Sequence, residues 1–120
     1  MKNITVKCKI WLEDEKNDSI LGEEKCNFLK IVEETGSLNE AVKKYGYTYR
    51  KTWDNLNKIE KKLGFKLLDR QRGGKEGGKT SLTKQGKAII KAFDNFHKKY
   101  DDFIEKALQE VIDEINKNIK

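Results

Sequence analysis

Tyr49, Arg50, Lys51, Asn55 and Lys58 fall within a span of ten residues and can share the outer face of a single helix. Their types point to recognition of a polyanion. An arginine fork can match the O6 and N7 acceptors of guanine, whereas a lysine acts as a point charge suited to phosphate. The first turn of such a helix carries two cations, Arg50 and Lys51, and no carboxylate. That opposes the helix dipole at about 0.3–1 kcal/mol per charge. A phosphate docked there reverses the sign, because free N–H groups and the dipole both attract an anion. The alternative for the same residues is the solvated face of an ordinary helical hairpin.

Gly73, Gly78, Lys79 and Thr80 raise a second chemistry, since they satisfy G-x4-G-K-T, the phosphate-binding loop of nucleotide hydrolases. That loop works only between a buried parallel strand and a helix that starts at the lysine. Here the next helix begins near Thr83, and no apolar strand ending in Asp follows to hold magnesium. Hydrolysis is therefore not expected. Nor is other catalysis: His97 is the only histidine, and no carboxylate pair, His–Cys pair or metal cluster stands in a cleft-forming context. Cys8 and Cys26 lack a CxxC and sit in apolar patterns, so buried free thiols are expected. The reading is a non-enzyme with no cofactor and no metal.

The helix bearing Arg50 must be held by its neighbours, and residues 37–64 supply the pattern. Ser37 and Glu40 form a capping box for a first helix whose apolar face is Leu38, Ala41, Val42 and Tyr45. Gly46 can take positive φ at its end. Thr48 is the expected N-cap of a second helix with Trp53, Leu56, Ile59 and Leu63 as one buried stripe, closed by Gly64. Two helices joined by a tight turn, with an exposed basic start to the second, describe a helix-turn-helix that lays its recognition helix into a major groove.

Upstream, Ile4, Val6, Cys8, Ile10 and Leu12 alternate with Thr5, Lys7, Lys9 and Trp11 and predict a strand with one buried face. Residues 13–19 turn the chain, and Ile20 and Leu21 predict a short return strand. A supporting helix is expected over 23–35, with Cys26, Leu29 and Val32 inward, Glu23 and Glu24 in its first turn, and Gly36 as C-cap. Downstream, residues 65–71 read as a strand, 72–79 as a basic glycine-rich loop, and 80–82 as its partner strand. That is a wing from which Arg72, Lys75 and Lys79 can reach phosphates or the minor groove.

From Thr83 the apolar positions Ile89, Phe93, Phe96, Tyr100, Phe103 and Ala107 step by four and three, continued by Leu108, Val111, Ile115 and Ile119. No proline interrupts them. A helix of roughly 35 residues, about 50 Å long, follows. A domain of about 80 residues cannot cover that length, so Phe93, Phe96, Tyr100, Phe103, Ile104, Leu108, Val111 and Ile115 are expected to meet the same helix of a second subunit. The alternative is a break near residues 98–102 and a helix folded back on its own domain.

Charge is unevenly placed. Residues 43–87 hold 14 Lys and Arg against 4 Asp and Glu, while the other 75 residues hold 12 against 16. A general lysine bias would spread the excess; a clustered one is the footprint of a polyanion partner. No run approaches the ~20 apolar residues of a membrane span, and the N-terminus lacks a signal peptide's apolar core. A small cytoplasmic protein is expected.

Residues 11 to about 90 resemble, in order and without large gaps, the N-terminal DNA-binding domain of the ModE molybdate-responsive transcription regulators, themselves similar to the LysR-type winged helix. The most specific pieces are Glu34-Thr35-Gly36-Ser37, the Tyr49-Arg50-Lys51-x-Trp53-Asp54 run, and the Gly-Gly-Lys-x-Gly-Gly loop. The resemblance implies a homodimeric, operator-binding winged helix-turn-helix. It does not extend to the C-terminal molybdate-binding domains usual in that family, and no small-molecule effector site is carried over. The expectation is thus a mainly α (α+β) chain: a winged helix-turn-helix over 1–82 with an N-terminal β-hairpin and β-wing, then a long dimerisation helix over 83–120. It would bind double-stranded DNA as a transcriptional regulator. Lys43 and Lys44 would position the first helix on the backbone, Thr48, Tyr49, Arg50, Lys51, Asn55 and Lys58 would face the groove, and Arg72, Lys75 and Lys79 would form the wing contacts. The alternative is a winged-helix interaction module that turns the same basic face to an acidic protein.

Overall fold

Eight elements appear in the computed structural model, which describes residues 3–71 and 79–119: β1 (Trp11–Glu13), β2 (Ser19–Gly22), α1 (Glu23–Thr35), α2 (Leu38–Tyr45), α3 (Tyr49–Leu63), β3 (Leu68–Gln71), β4 (Lys79–Leu82) and α4 (Lys84–Asn118). Each strand pair is an antiparallel two-stranded sheet, β1 with β2 and β3 with β4. Helix–turn–helix followed by a β-hairpin makes a winged helix, from which the long α4 departs.

The helix boundaries follow local chemistry. Gly36, Gly46 and Gly64 end α1, α2 and α3 at φ of 69°, 68° and 84°, a left-handed backbone that glycine adopts without a Cβ penalty. Only half of the expected capping box forms. The Ser37 hydroxyl accepts from the Glu40 N–H at 3.1 Å, but the Ser37 N–H donates to Thr35 Oγ1 at 3.2 Å instead of to Glu40. Thr48 caps α3 as expected, accepting from the Lys51 N–H at 3.4 Å.

The core joins α1, α2, α3, the foot of the wing and the first turns of α4. Phe28, Leu29, Val32, Ala41 and Leu67 have no exposed surface. The buried arc of α3 differs from the expected stripe: it is Thr52, Leu56, Ile59 and Glu60, with Trp53 and Leu63 only half-buried. Glu60 takes an interior place because its carboxylate Oε2 accepts the N–H groups of Leu67 and Leu68 at 2.6 and 3.2 Å. A buried carboxylate so bonded satisfies two amides that no strand partner reaches. Glu33 does the same for the other strand, accepting the Leu82 N–H at 2.6 Å.

Two expectations at the N-terminus are corrected. The strand over residues 4–12 shrinks to Trp11–Glu13, because its partner β2 has only four residues before α1 begins. Trp11, Leu12 and Glu13 face Gly22, Leu21 and Ser19, with a bulge after Leu12. Without a partner strand, residues 4–10 form no ladder, and their buried face is incomplete: Ile4 is 54% exposed while Val6 and Ile10 are half-buried. Cys8 is exposed, contrary to expectation, whereas Cys26 is buried and its thiol is pushed up to about 11 by that burial.

Candidate nucleic-acid interface

The turn between α2 and α3 is fixed by an aromatic cluster. Phe28 of α1 meets the rings of Tyr45 and Tyr47 at centroid distances of 5.6 and 5.8 Å, and Tyr45 stacks on Tyr47 at 5.4 Å. The Tyr47 hydroxyl donates to the Glu24 carboxylate, a bond that raises the phenol above its ordinary value. Sequence reasoning missed Tyr47 and Phe28; the aromatic bunching of Phe28, Tyr45 and Tyr47 around a turn was the available signal. Their packing sets the angle at which α3 leaves the turn.

The start of α3 is consequently presented to solvent. Tyr49, Arg50, Lys51, Asp54, Asn55 and Lys58 are all exposed, with Tyr49 at 46%. No acidic residue lies in the first turn, while Lys61 and Lys62 occupy the last one, where the dipole favours cations. Lys62 is tied to the hairpin turn through Asp14 at 3.1 Å. Lys43 and Lys44 are exposed on the last turn of α2.

These residues do not form one uniform patch. Successive helical residues are about 100° apart, so Arg50 and Lys51 lean to different flanks. Lys51 and Asn55, together with Thr48, line a groove between α3 and the N-terminal segment. Arg50 and Asp54 lie on the other side of the exposed face. Thr48 also spends its hydroxyl lone pair on the cap.

Lys79 opens β4 at the foot of the wing, and its Cε lies 3.6 Å from where a Cβ on Gly36 would stand. The adjacent Thr80 N–H donates to the Gly36 carbonyl at 3.0 Å. Lys79 is thereby brought to the start of α2. Arg72 and Lys75 lie outside the described residues. The phosphate-loop lookalike has the wrong setting: Lys79 and Thr80 belong to an antiparallel hairpin strand, and the next helix starts only at Lys84.

α4 runs unbroken through residues 98–102, with Thr83 as N-cap accepting from the Gly86 N–H at 3.0 Å. Phe93, grouped above with the dimerisation residues, is corrected: at 8% exposure it belongs to the domain's own core beside Ile90, because α1 packs over this part of α4. Phe96 is half-buried against His97 and Tyr100. Ile104 and Leu108 are half-buried next to residues 5–8. Tyr100, Phe103, Val111 and Ile115 are 40%, 70%, 44% and 40% exposed. No helix among the described residues is long and apolar enough to cross a membrane.

A helix-turn-helix with a basic, uncapped-by-acid recognition helix, followed by a β-wing, defines the winged helix-turn-helix class. Residues 25–87 match the family described as bacterial regulatory helix-turn-helix protein, lysR family, and the chain belongs to that family. It is 36% identical over 66 residues to the transcriptional regulator ModE of Haemophilus influenzae, a match covering 55% of this chain and 26% of that protein. It is 32% identical over 68 residues to the DNA-binding transcriptional dual regulator ModE of Escherichia coli K12, covering 57% and 26%. The molybdenum-pterin-binding protein MopB of Rhodobacter capsulatus matches at 29% over 79 residues, covering 66% and 29%. The chain thus spans about a quarter of the length of these curated relatives, and its helix-turn-helix domain is ModE-like.

Proposed function

We propose that this chain binds double-stranded DNA at preferred sequences and regulates transcription as a homodimer. The observation that carries the reading is the exposed first turn of α3, with Arg50 and Lys51, no carboxylate, and a turn locked by Phe28, Tyr45 and Tyr47. α3 enters the major groove, Arg50 reads a base edge, Lys43, Lys44 and Lys51 hold phosphates, and the wing with Arg72, Lys75 and Lys79 contacts the flanking backbone. Family membership and relatives named as DNA-binding regulators support the same direction.

Dimerisation is supported by the distal half of α4. Tyr100, Phe103, Ala107 and Val111 recur at three- and four-residue spacing and are exposed, a ridge that one copy leaves in water. Pairing with the same ridge of a second copy buries it and sets two recognition helices at a fixed separation. Selection of duplexes from a randomised pool tests both halves. A two-fold related motif is expected. Binding without any enriched motif refutes sequence reading, and affinity for acidic proteins without duplex affinity makes the chain an interaction module.

A further inference from the structure

An open groove of about 740 Å³ lies between the N-terminal segment, the start of α1 and the flank of α3. Three lysines from three separate elements line it: Lys9 before β1, Lys25 on α1 and Lys51 on α3. Among the described residues, none of the three ammonium groups has a carboxylate within ion-pair reach. Glu23 and Glu24 also border the groove: Glu23 bonds His97, while Glu24 accepts from the Tyr47 hydroxyl and attracts Lys25 electrostatically. Lys25 lies over the rings of Phe28 and Tyr47, 5.2 and 5.8 Å from their centroids, with its amine held below the ordinary value by burial. Rings hold the stem and one side of the ammonium but supply no anion.

We propose that this groove carries a backbone phosphate of bound duplex DNA, which makes Lys9 and Lys25 a third contact element beside the recognition helix and the wing. The proposal rests on the DNA-binding reading above. Its occupant follows from continuity, since Thr48, Lys51 and Asn55 belong both to the groove and to the exposed start of α3. A strand running past that helix end toward the N-terminal segment brings its next phosphate to Lys9 and Lys25. An anion there offsets the desolvation of Lys25, which Glu24 offsets only in part, and meets three lysines that form no ion pair among the described residues. Contacts of this kind fix register and add affinity without reading sequence.

The test is the salt dependence of binding by the full chain to its selected duplex, for Lys9→Gln, Lys25→Gln and the double variant, with Lys106→Gln on distal α4 as control. Each single change is expected to reduce the slope of log K against log salt by about 0.9, the double by about twice that, with the selected motif unchanged. The control keeps the parental slope, and so does Lys25→Arg. Because Lys9 is exposed on an unladdered segment, its variant stays folded even if Lys25→Gln loosens the aromatic cluster. Parental slopes in both Gln variants, with parent binding intact, overturn the groove assignment alone. If the parent itself shows no duplex affinity, the DNA-binding reading fails and the groove assignment with it.

Discussion

Gly86 offers a prediction in which two physical effects have opposite sign. It sits in the first turn of α4, where intrinsic propensity alone makes Gly→Ala stabilising by about 1 kcal/mol. A Cβ at Gly86, however, would stand 2.6 Å from the Leu67 carbonyl oxygen, and 3.4 Å from Thr83 Oγ1. Ordinary contact begins roughly 0.8 Å further out, and the oxygen in the way is backbone, not a movable side-chain tip. That carbonyl also accepts the Thr83 N–H at 2.9 Å, while Thr83 Oγ1 donates to the Lys66 carbonyl at 2.6 Å. Displacing it strains the bonds that stitch α4 to the foot of the wing. Overpacking of this kind costs about 1–3 kcal/mol, which outweighs the propensity gain at all but the low end. Gly86→Ala is therefore expected to destabilise by up to about 2 kcal/mol, a fall in Tm of several degrees for a chain of this size. Ala92→Gly, at an exposed α4 position, isolates the propensity term at about 1 kcal/mol. Thermal melts at one fixed protein concentration compare the three, since a dimer's Tm depends on concentration. A Tm for Gly86→Ala above the parent's would refute the close approach of α4 to Leu67.

Phe103→Asp places a charge on a side chain that is 70% exposed in one copy, so folding should change by under about 0.5 kcal/mol; light scattering is expected to show a monomer, and full dimer mass would remove this ridge from the seam. Arg50→Ala should cost about 1–3 kcal/mol on the selected duplex and relax preference at one or two base pairs, while Lys51→Ala weakens selected and random duplexes alike; an unchanged motif for the Arg50 variant would reduce that residue to positioning. Glu60→Ala strips the acceptor from the Leu67 and Leu68 amides and should cost about 2–4 kcal/mol by denaturant unfolding, against a near-zero effect if water replaces it. His97 faces Glu23 through one ring nitrogen and Asp101, at 2.7 Å, through the other, which needs a proton on both. Its folded value is raised, first by the Asp101 hydrogen bond. The stabilisation is then complete below the unfolded value of 6.5 and fades as pH rises through the higher folded one. The Tm gap between parent and His97→Gln should shrink over that rise, and a gap constant with pH would contradict the bridge.

What could be read in advance was whatever depended on neighbours in the chain. The bounds of α1, the three glycine C-caps, the Thr48 cap, the start of α4 near Thr83 and its unbroken run all follow from propensity and period within a few residues. The N-terminal strand failed for a tertiary reason. Alternation at Ile4, Val6, Cys8 and Ile10 states a preference for extended chain, but a ladder also needs a partner, and four residues of β2 reach only to Trp11. Glu60 failed because a charged residue inside an apolar stripe reads as an exception until Leu67 and Leu68 turn their amides toward it. Phe93 was put on the right stripe of α4 and given the wrong partner: period locates a face, and only the packed domain decides where its own cover ends.

The same distinction separates the two parts of the candidate interface. Arg50, Lys51 and Asn55 are close in sequence and share one helix, so their spacing alone suggests a phosphate-seeking face. Lys9, Lys25 and Lys51 are spread over some forty residues, on the segment before β1 and on two helices. Nothing in periodicity joins them. Lys25 in particular reads as one of many solvated lysines until Phe28 and Tyr47 are found beneath it. The basic excess over residues 43–87 also points away from both Lys9 and Lys25, which lie outside it. Local charge density therefore points to α3 but understates the proposed interface, whose breadth would follow from the hairpin that Asp14 and Lys62 anchor to α3.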